Sequence, residues 1–149
     1  MCGIAGIIHK GKSTNVGGEM QNMLQSLKHR GPDSTGFALY RDNDSKNYIL
    51  RFKVGENVKE GSSAKNEDSK VYEKRKDDVN SEITKVGAEI IEEKRITPYS
   101  FRYVIKTKDD LLEIAQKIES VEMTEILSLG RSLELVKDIG DASVVAKQY

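Results

Sequence analysis

Met1-Cys2-Gly3-Ile4-Ala5-Gly6-Ile7-Ile8 opens the chain and holds its only cysteine. Residues 3–8 are mostly apolar, and the isoleucines among them favour β structure, so the run predicts a buried strand. Removal of Met1 would leave Cys2 with a free α-amino group. One residue would then carry a thiol nucleophile and a weak base whose ordinary pKa is about 8. A nucleophile activated by the chain's own terminal amine is a working catalytic arrangement. Gly3 allows close backbone approach, and a strand would hold Cys2 rigidly. The competing reading of Cys2 is a small buried residue that happens to be the sole cysteine.

Beyond this run, Gly11, Ser13, Asn15, Gly17 and Gly18 make residues 9–18 a loop. Met20, Met23, Leu24 and Leu27 then fall at i, i+3, i+4 and i+7, which is one face of a helix. Lys28, His29 and Arg30 place positive charge in its last turn, where the helix dipole favours it. Gly31 is a natural residue just past the helix end, and Pro32 prevents continuation. His29-Arg30-Gly31-Pro32-Asp33 therefore reads in two ways: as a helix end and turn, or as a polar loop brought beside the Cys2 strand.

Thr35 to Tyr40 predicts a second strand and Tyr48 to Val54 a third, joined by the turn Asp42-Asn43-Asp44-Ser45, so residues 35–54 predict a hairpin. Glu60 to Asp78 lacks an apolar pattern and reads as a solvated connection with a short strand near Val71-Tyr72. Val79, Ile83, Val86 and Ile90 mark a helix of about four turns. Tyr99, Phe101, Tyr103 and Ile105 alternate as a strand with an aromatic face. Thr107 is a candidate N-cap, with Asp110 near N3, for a helix carrying Leu111, Ile114, Ala115 and Ile118. Glu122 to Leu129 is a further strand candidate, Gly130-Arg131-Ser132 a turn, and Asp141 a cap for a short helix from Ala142 to Tyr149. The class is α+β, with residues 55–132 as an approximate α+β insertion.

Charged residues make up 32% of the 149, the 24 basic and 24 acidic residues balance, and mean hydropathy is −0.56. That balance argues against a nucleic-acid or membrane-surface role driven by net charge. No apolar run approaches the roughly 18 residues that span a bilayer. The start lacks a basic region and does not read as a signal peptide. One cysteine cannot form an internal disulfide, so a cytoplasmic protein is the expectation. With 2 His and 1 Cys, no His/Cys metal site is expected, and no cofactor.

One rival motif competes for the same stretch. Gly6-Ile7-Ile8-His9-Lys10-Gly11-Lys12-Ser13 fits the pattern of a phosphate-binding loop. Such a loop needs a strand before it and a helix opening at the lysine. Only five residues precede Gly6, Gly17 and Gly18 interrupt any helix from Lys12, and Ile7 and Ile8 suit a phosphate cradle poorly.

Cys2-Gly3-Ile4-Ala5-Gly6, together with Leu27-Lys28-His29-Arg30-Gly31-Pro32-Asp33, resembles the class II glutamine amidotransferases, which are N-terminal-nucleophile (Ntn) hydrolases. Tyr99 to Ile105, Ile126 to Glu134 and Lys137-Asp138-Ile139-Gly140 resemble the subgroup related to the glutaminase part of glutamate synthase. The resemblance implies a four-layer αββα sandwich, of which residues 1–149 would be the N-terminal part. It implies hydrolysis of L-glutamine, with Cys2 as nucleophile and its α-amino group as general base. Arg30 and Gly31 would flank the substrate pocket. Ammonia would pass to a synthase domain or subunit. The resemblance also implies a His-Thr-Arg motif for the α-carboxylate, an Asn-Gly oxyanion hole and a later Asp for the α-amino group. This sequence contains neither His-Thr-Arg nor Asn-Gly. The expectation is therefore a glutaminase part completed by further polypeptide or by a second chain, and poorly active alone. The alternative from another class is a noncatalytic interaction or regulatory module on the same fold.

Overall fold

The computed structural model describes residues 2–11, 15–30, 33–41, 46–56 and 69–149. Two compact units emerge, one of Met1–Gly36 with Lys137–Tyr149, the other of Phe37–Val136. The expected turn at 42–45 and the helix-ending residues Gly31 and Pro32 lie outside the described residues.

The larger unit is built on strand β2 (Tyr48–Lys53). Its apolar alternation puts Leu50 and Phe52 on one face, and the same face continues to Val54. The partner in register is β4 (Ser100–Lys106), antiparallel, with Phe52 opposite Phe101 and Leu50 opposite Tyr103. Phe52 stacks on Phe101 at 5.3 Å and meets Tyr103 edge-on at 5.0 Å. Such pairs add about 0.5–1.5 kcal/mol beyond area burial. On its other edge β2 pairs with β5 (Glu125–Gly130), and β4 pairs outward with β3 (Glu89–Arg95), giving the order β3-β4-β2-β5. Helices α2 (Ser69–Lys85) and α3 (Leu111–Glu119) cover the aromatic face with Tyr72, Val79, Ile83, Ile114 and Ile118.

The opposite face of that sheet is charged. Arg51 of β2 stands directly opposite Arg102 of β4, a pairing that like charges make unfavourable. Glu134 resolves it. Its carboxylate takes Arg51 Nε at 2.7 Å and Arg102 Nε at 3.0 Å. Burial pushes the Glu134 carboxyl up, but the hydrogen bonds and charges of Arg102 and Arg51 outweigh burial and hold it below the ordinary carboxylate range.

Several sequence expectations are corrected here. Residues 35–54 do not form a hairpin, because β1 (Ser34–Tyr40) pairs with β6 (Leu133–Ile139) while β2 takes β4 and β5. β2 is buried on both faces and needs neighbours on both edges, whereas β1 is mostly exposed. Val71-Tyr72 lies in α2, not in a strand, so residues 69–78 of the expected solvated connection are helix, and residues 60–68 lie outside the described residues. Arg75 completes the buried face of that helix, its guanidinium donating to the Val54 carbonyl, and a charged residue in that role hides the helical period. Ile90 belongs to β3, not to the preceding helix. Gly87, at φ +79°, turns the chain out of α2 first. The cap of α3 is Asp110, which accepts from the Leu112 amide, not Thr107.

In the smaller unit, α1 runs Val16–Ser26, so helix takes the last three residues of the expected loop at 9–18. A short 3₁₀ turn, Lys28–Arg30, follows. Helix α4 (Ala142–Gln148) is capped by Asp141, whose carboxylate accepts from the Ser143 and Val144 amides. Gln25 clasps the two helices. Its amide donates to Asp141 at 3.2 Å and its carbonyl accepts from the Ser143 amide at 3.2 Å. No residue of α1 is fully buried. Among the described residues, no helix is long and apolar enough to cross a membrane.

Candidate functional site

Residues 3–8 are not a buried strand. They form an irregular segment, since a strand needs a hydrogen-bonded neighbour and none of the described strands pairs with them. Gly3 nevertheless fixes the start of this segment. A Cβ built on it would sit 3.1 Å from Leu27 Cβ, so a side chain here would require Leu27 or the segment to give by a few tenths of an ångström.

That approach seats Cys2 at the rim of a cavity of about 310 Å³. Cys2 is exposed and its thiol is free. The floor is apolar, from Leu24 and Leu27 of α1. Lys28 and Arg30 bring positive charge, and Asp33 brings negative charge. Ser34, Thr35 and Gly36, at the start of β1, and Ala142 complete the wall. Backbone bonds hold this wall. Arg30 N donates to the Leu27 carbonyl at 2.9 Å, and Gly140 N donates to the Asp33 carbonyl at 3.1 Å. The Thr35 hydroxyl donates to the Gly140 carbonyl at 2.8 Å. Beside Ala142, the Asp141 carboxyl is held below its ordinary range, first by the Gln25 hydrogen bond, then by the Val144 and Ser143 amides and the charge of Lys28.

The structure therefore brings together Cys2, Arg30 and Asp33 from the two sequence motifs. His29 does not line the cavity. Gly31, the other expected flanking residue, lies outside the described residues, as do Met1, Lys12 and Ser13. The phosphate-loop pattern loses its context, because residues 2–5 form no strand and the next helix opens at Val16 rather than at Lys12. Sequence reasoning missed Ser34–Gly36 and Ala142 as wall residues. Ala142 comes from more than a hundred residues away, and the cap at Asp141 was its only local signal. Among the described residues, no group of three or more His, Cys, Asp or Glu could hold a metal ion.

Comparison with known proteins adds one relative. A curated protein of Methanothermobacter thermautotrophicus (strain Delta H), named "Putative glutamine amidotransferase", is 35% identical over 155 residues. The match covers 100% of this chain and 47% of the relative, so the chain spans about half the length of the curated relative it matches. No family model matches the chain. No solved structure matches it.

Proposed function

We propose that this chain carries the nucleophile-bearing part of a class II glutamine amidotransferase, of the kind related to the glutaminase part of glutamate synthase. The observation that carries the proposal is the cavity on which Cys2 opens together with Arg30 and Asp33. The similarity of the whole chain to a relative named for this activity supports it. On this reading the fold is the N-terminal part of an αββα sandwich, with the sheet around β2 lying largely in an insertion.

The chemistry follows from one residue. With Met1 removed, the Cys2 α-amino group takes the thiol proton, and Sγ attacks the side-chain amide carbon of L-glutamine. The proton passes to the amide nitrogen, the C–N bond breaks and ammonia leaves. A γ-glutamyl thioester remains, and water attacking the same carbon releases glutamate and restores the thiol. The ammonia goes to a synthase domain or subunit. Arg30 and Gly31 support the nucleophile loop and flank the pocket. The two oxyanion donors of an Asn-Gly pair are absent from the sequence. Missing oxyanion stabilisation costs about 3 kcal/mol or more, so the 149 residues alone turn over glutamine slowly until further polypeptide supplies those groups.

The test is labelling with a glutamine analogue that carries an electrophilic ketone at the amide position, followed by peptide mass mapping. Modification at Cys2, on chains that have lost Met1, is expected, and Cys2→Ser removes it. An intact Met1, or an unlabelled Cys2, favours a noncatalytic module on the same fold instead.

A further inference from the structure

Once the phosphate-loop pattern loses its context, His9 is left without a role. Among the described residues, it makes the single hydrogen bond that ties residues 2–11 to the rest of the chain. Its Nε2 lies 2.7 Å from Glu19 Oε2. A carboxylate only accepts, so the ring donates. Glu19 stands in the first turn of α1, and Leu27, which Gly3 approaches, follows the last turn of the same helix. From Glu19 to Leu27 the helix rises about 12 Å, so the segment runs back along α1 with a contact at each end. Between those ends little holds it. Ala5 and Ile7 are half-buried, and Ile4 and Ile8 are 93% and 95% exposed.

We propose that His9 and Glu19 are positioning residues for Cys2, their bond pinning the far end of the segment to α1 and so holding the thiol at the rim of the cavity. Neither residue touches the reacting atoms. A segment fixed at both ends has fewer conformations than one fixed at Gly3 alone. With the far end free, Cys2 must be ordered again each time a substrate enters, and that lost ordering slows its reaction. The side chains of His9 and Glu19 are 34% and 43% exposed, and such a surface pair adds little to global stability. Its effect therefore falls on the position of the thiol rather than on the fold. The chemical part of the proposal rests on the reading of Cys2 as the nucleophile. The tether itself does not.

The test uses the full chain without Met1 and three readouts: backbone NMR order parameters of residues 3–8, alkylation of Cys2 by iodoacetamide, and its labelling by the ketone analogue of glutamine. His9→Ala is expected to lower the order parameters to below about 0.6. It slows labelling by the analogue about two- to fivefold, the range of an exposed pair, and leaves alkylation, which needs no pocket, within about twofold. His9→Gln keeps an N–H donor and restores all three readouts. Adding Glu19→Ala to His9→Ala produces no further slowing, because the two residues share one bond. Unchanged analogue labelling, equal slowing by both reagents, a His9→Gln variant as slow as His9→Ala, or a fall of more than about 4 °C in Tm overturns the proposal. If the analogue fails to label the native chain, the reading of Cys2 as nucleophile falls with it. Unchanged order parameters in His9→Ala overturn the tether independently of that result.

Discussion

Removing Glu134 should be among the most damaging single changes to the larger unit. In Glu134→Ala, Arg51 loses its carboxylate partner while its side chain stays 9% exposed. Arg102 is less stranded, because Glu92 lies 3.7 Å from it and its side chain is 18% exposed. Arg41, 3.9 Å from Glu134 with a side chain 39% exposed, contributes little. Breaking a buried pair by deleting one partner costs about 3–5 kcal/mol, because a charge is left in a poor dielectric. With one arginine retaining an alternative partner, the lower end applies, about 3 kcal/mol. For a chain of this size that is a fall of roughly 6–12 °C in Tm. Urea unfolding at pH 7, followed by tyrosine near-UV circular dichroism, measures it. The acid limb carries a second signature. The folded-state pKa of Glu134 lies below its ordinary value of 4.5, so its stabilisation is present above that value and lost as pH falls through the folded pKa. The gap between the native chain and Glu134→Gln should therefore close as pH drops below about 4.5. Replacing the pair together, Arg51→Met with Glu134→Leu, should cost less than Glu134→Ala alone. A loss under about 1 kcal/mol at pH 7, or a gap that persists in acid, would refute the account.

Four further outcomes follow. Tyr103→Phe should change stability by less than about 1 kcal/mol, because the buried hydroxyl, beside Glu93 and Asn80, makes no well-formed hydrogen bond among the described residues; urea unfolding checks this. Asp110→Ala should cost about 1 kcal/mol and speed amide exchange in the first turn of α3, while Asp110→Asn stays near native. Gly3→Ala should slow labelling of Cys2 by a glutamine analogue if the segment rather than Leu27 yields to the new methyl, which would sit 3.1 Å from Leu27 Cβ. Gln25→Ala should raise the Asp141 pKa toward its ordinary value, read by NMR titration, since the Gln25 hydrogen bond is its largest depressing influence.

How much of this was legible beforehand depended on where burial lies. β4 showed itself because Phe101, Tyr103 and Ile105 face a single core. The helix face of Leu111, Ile114 and Ile118 and the cap at Asp141 were legible for the same reason, since local pattern and local burial agree there. β3 was illegible. Its sequence, Glu-Ile-Ile-Glu-Glu-Lys-Arg, is that of an exposed edge strand held by backbone pairing to β4, and backbone bonds leave no residue signature. The pairing of β1 with β6 was also hidden, because partner choice across about a hundred residues is decided by what β2 needs on its two edges. Of the site, Cys2 and the His29–Asp33 loop were named by motif. Position along the chain could not say that Arg30 and Asp33 reach the cavity while His29 does not.

Eight of the nine aromatic residues belong to the Phe37–Val136 unit, and Tyr149 is the exception. The unit that carries Cys2 is instead held by a carboxamide clasp, a helix cap and a few backbone bonds. Low-energy openings of a protein arise where buried apolar contacts are fewest. The thiol is therefore mounted on the softer ground of the chain. Its loosening would reach one tyrosine, Tyr149, whose hydroxyl donates to Asp138, and leave the optical signal of the aromatic core unchanged.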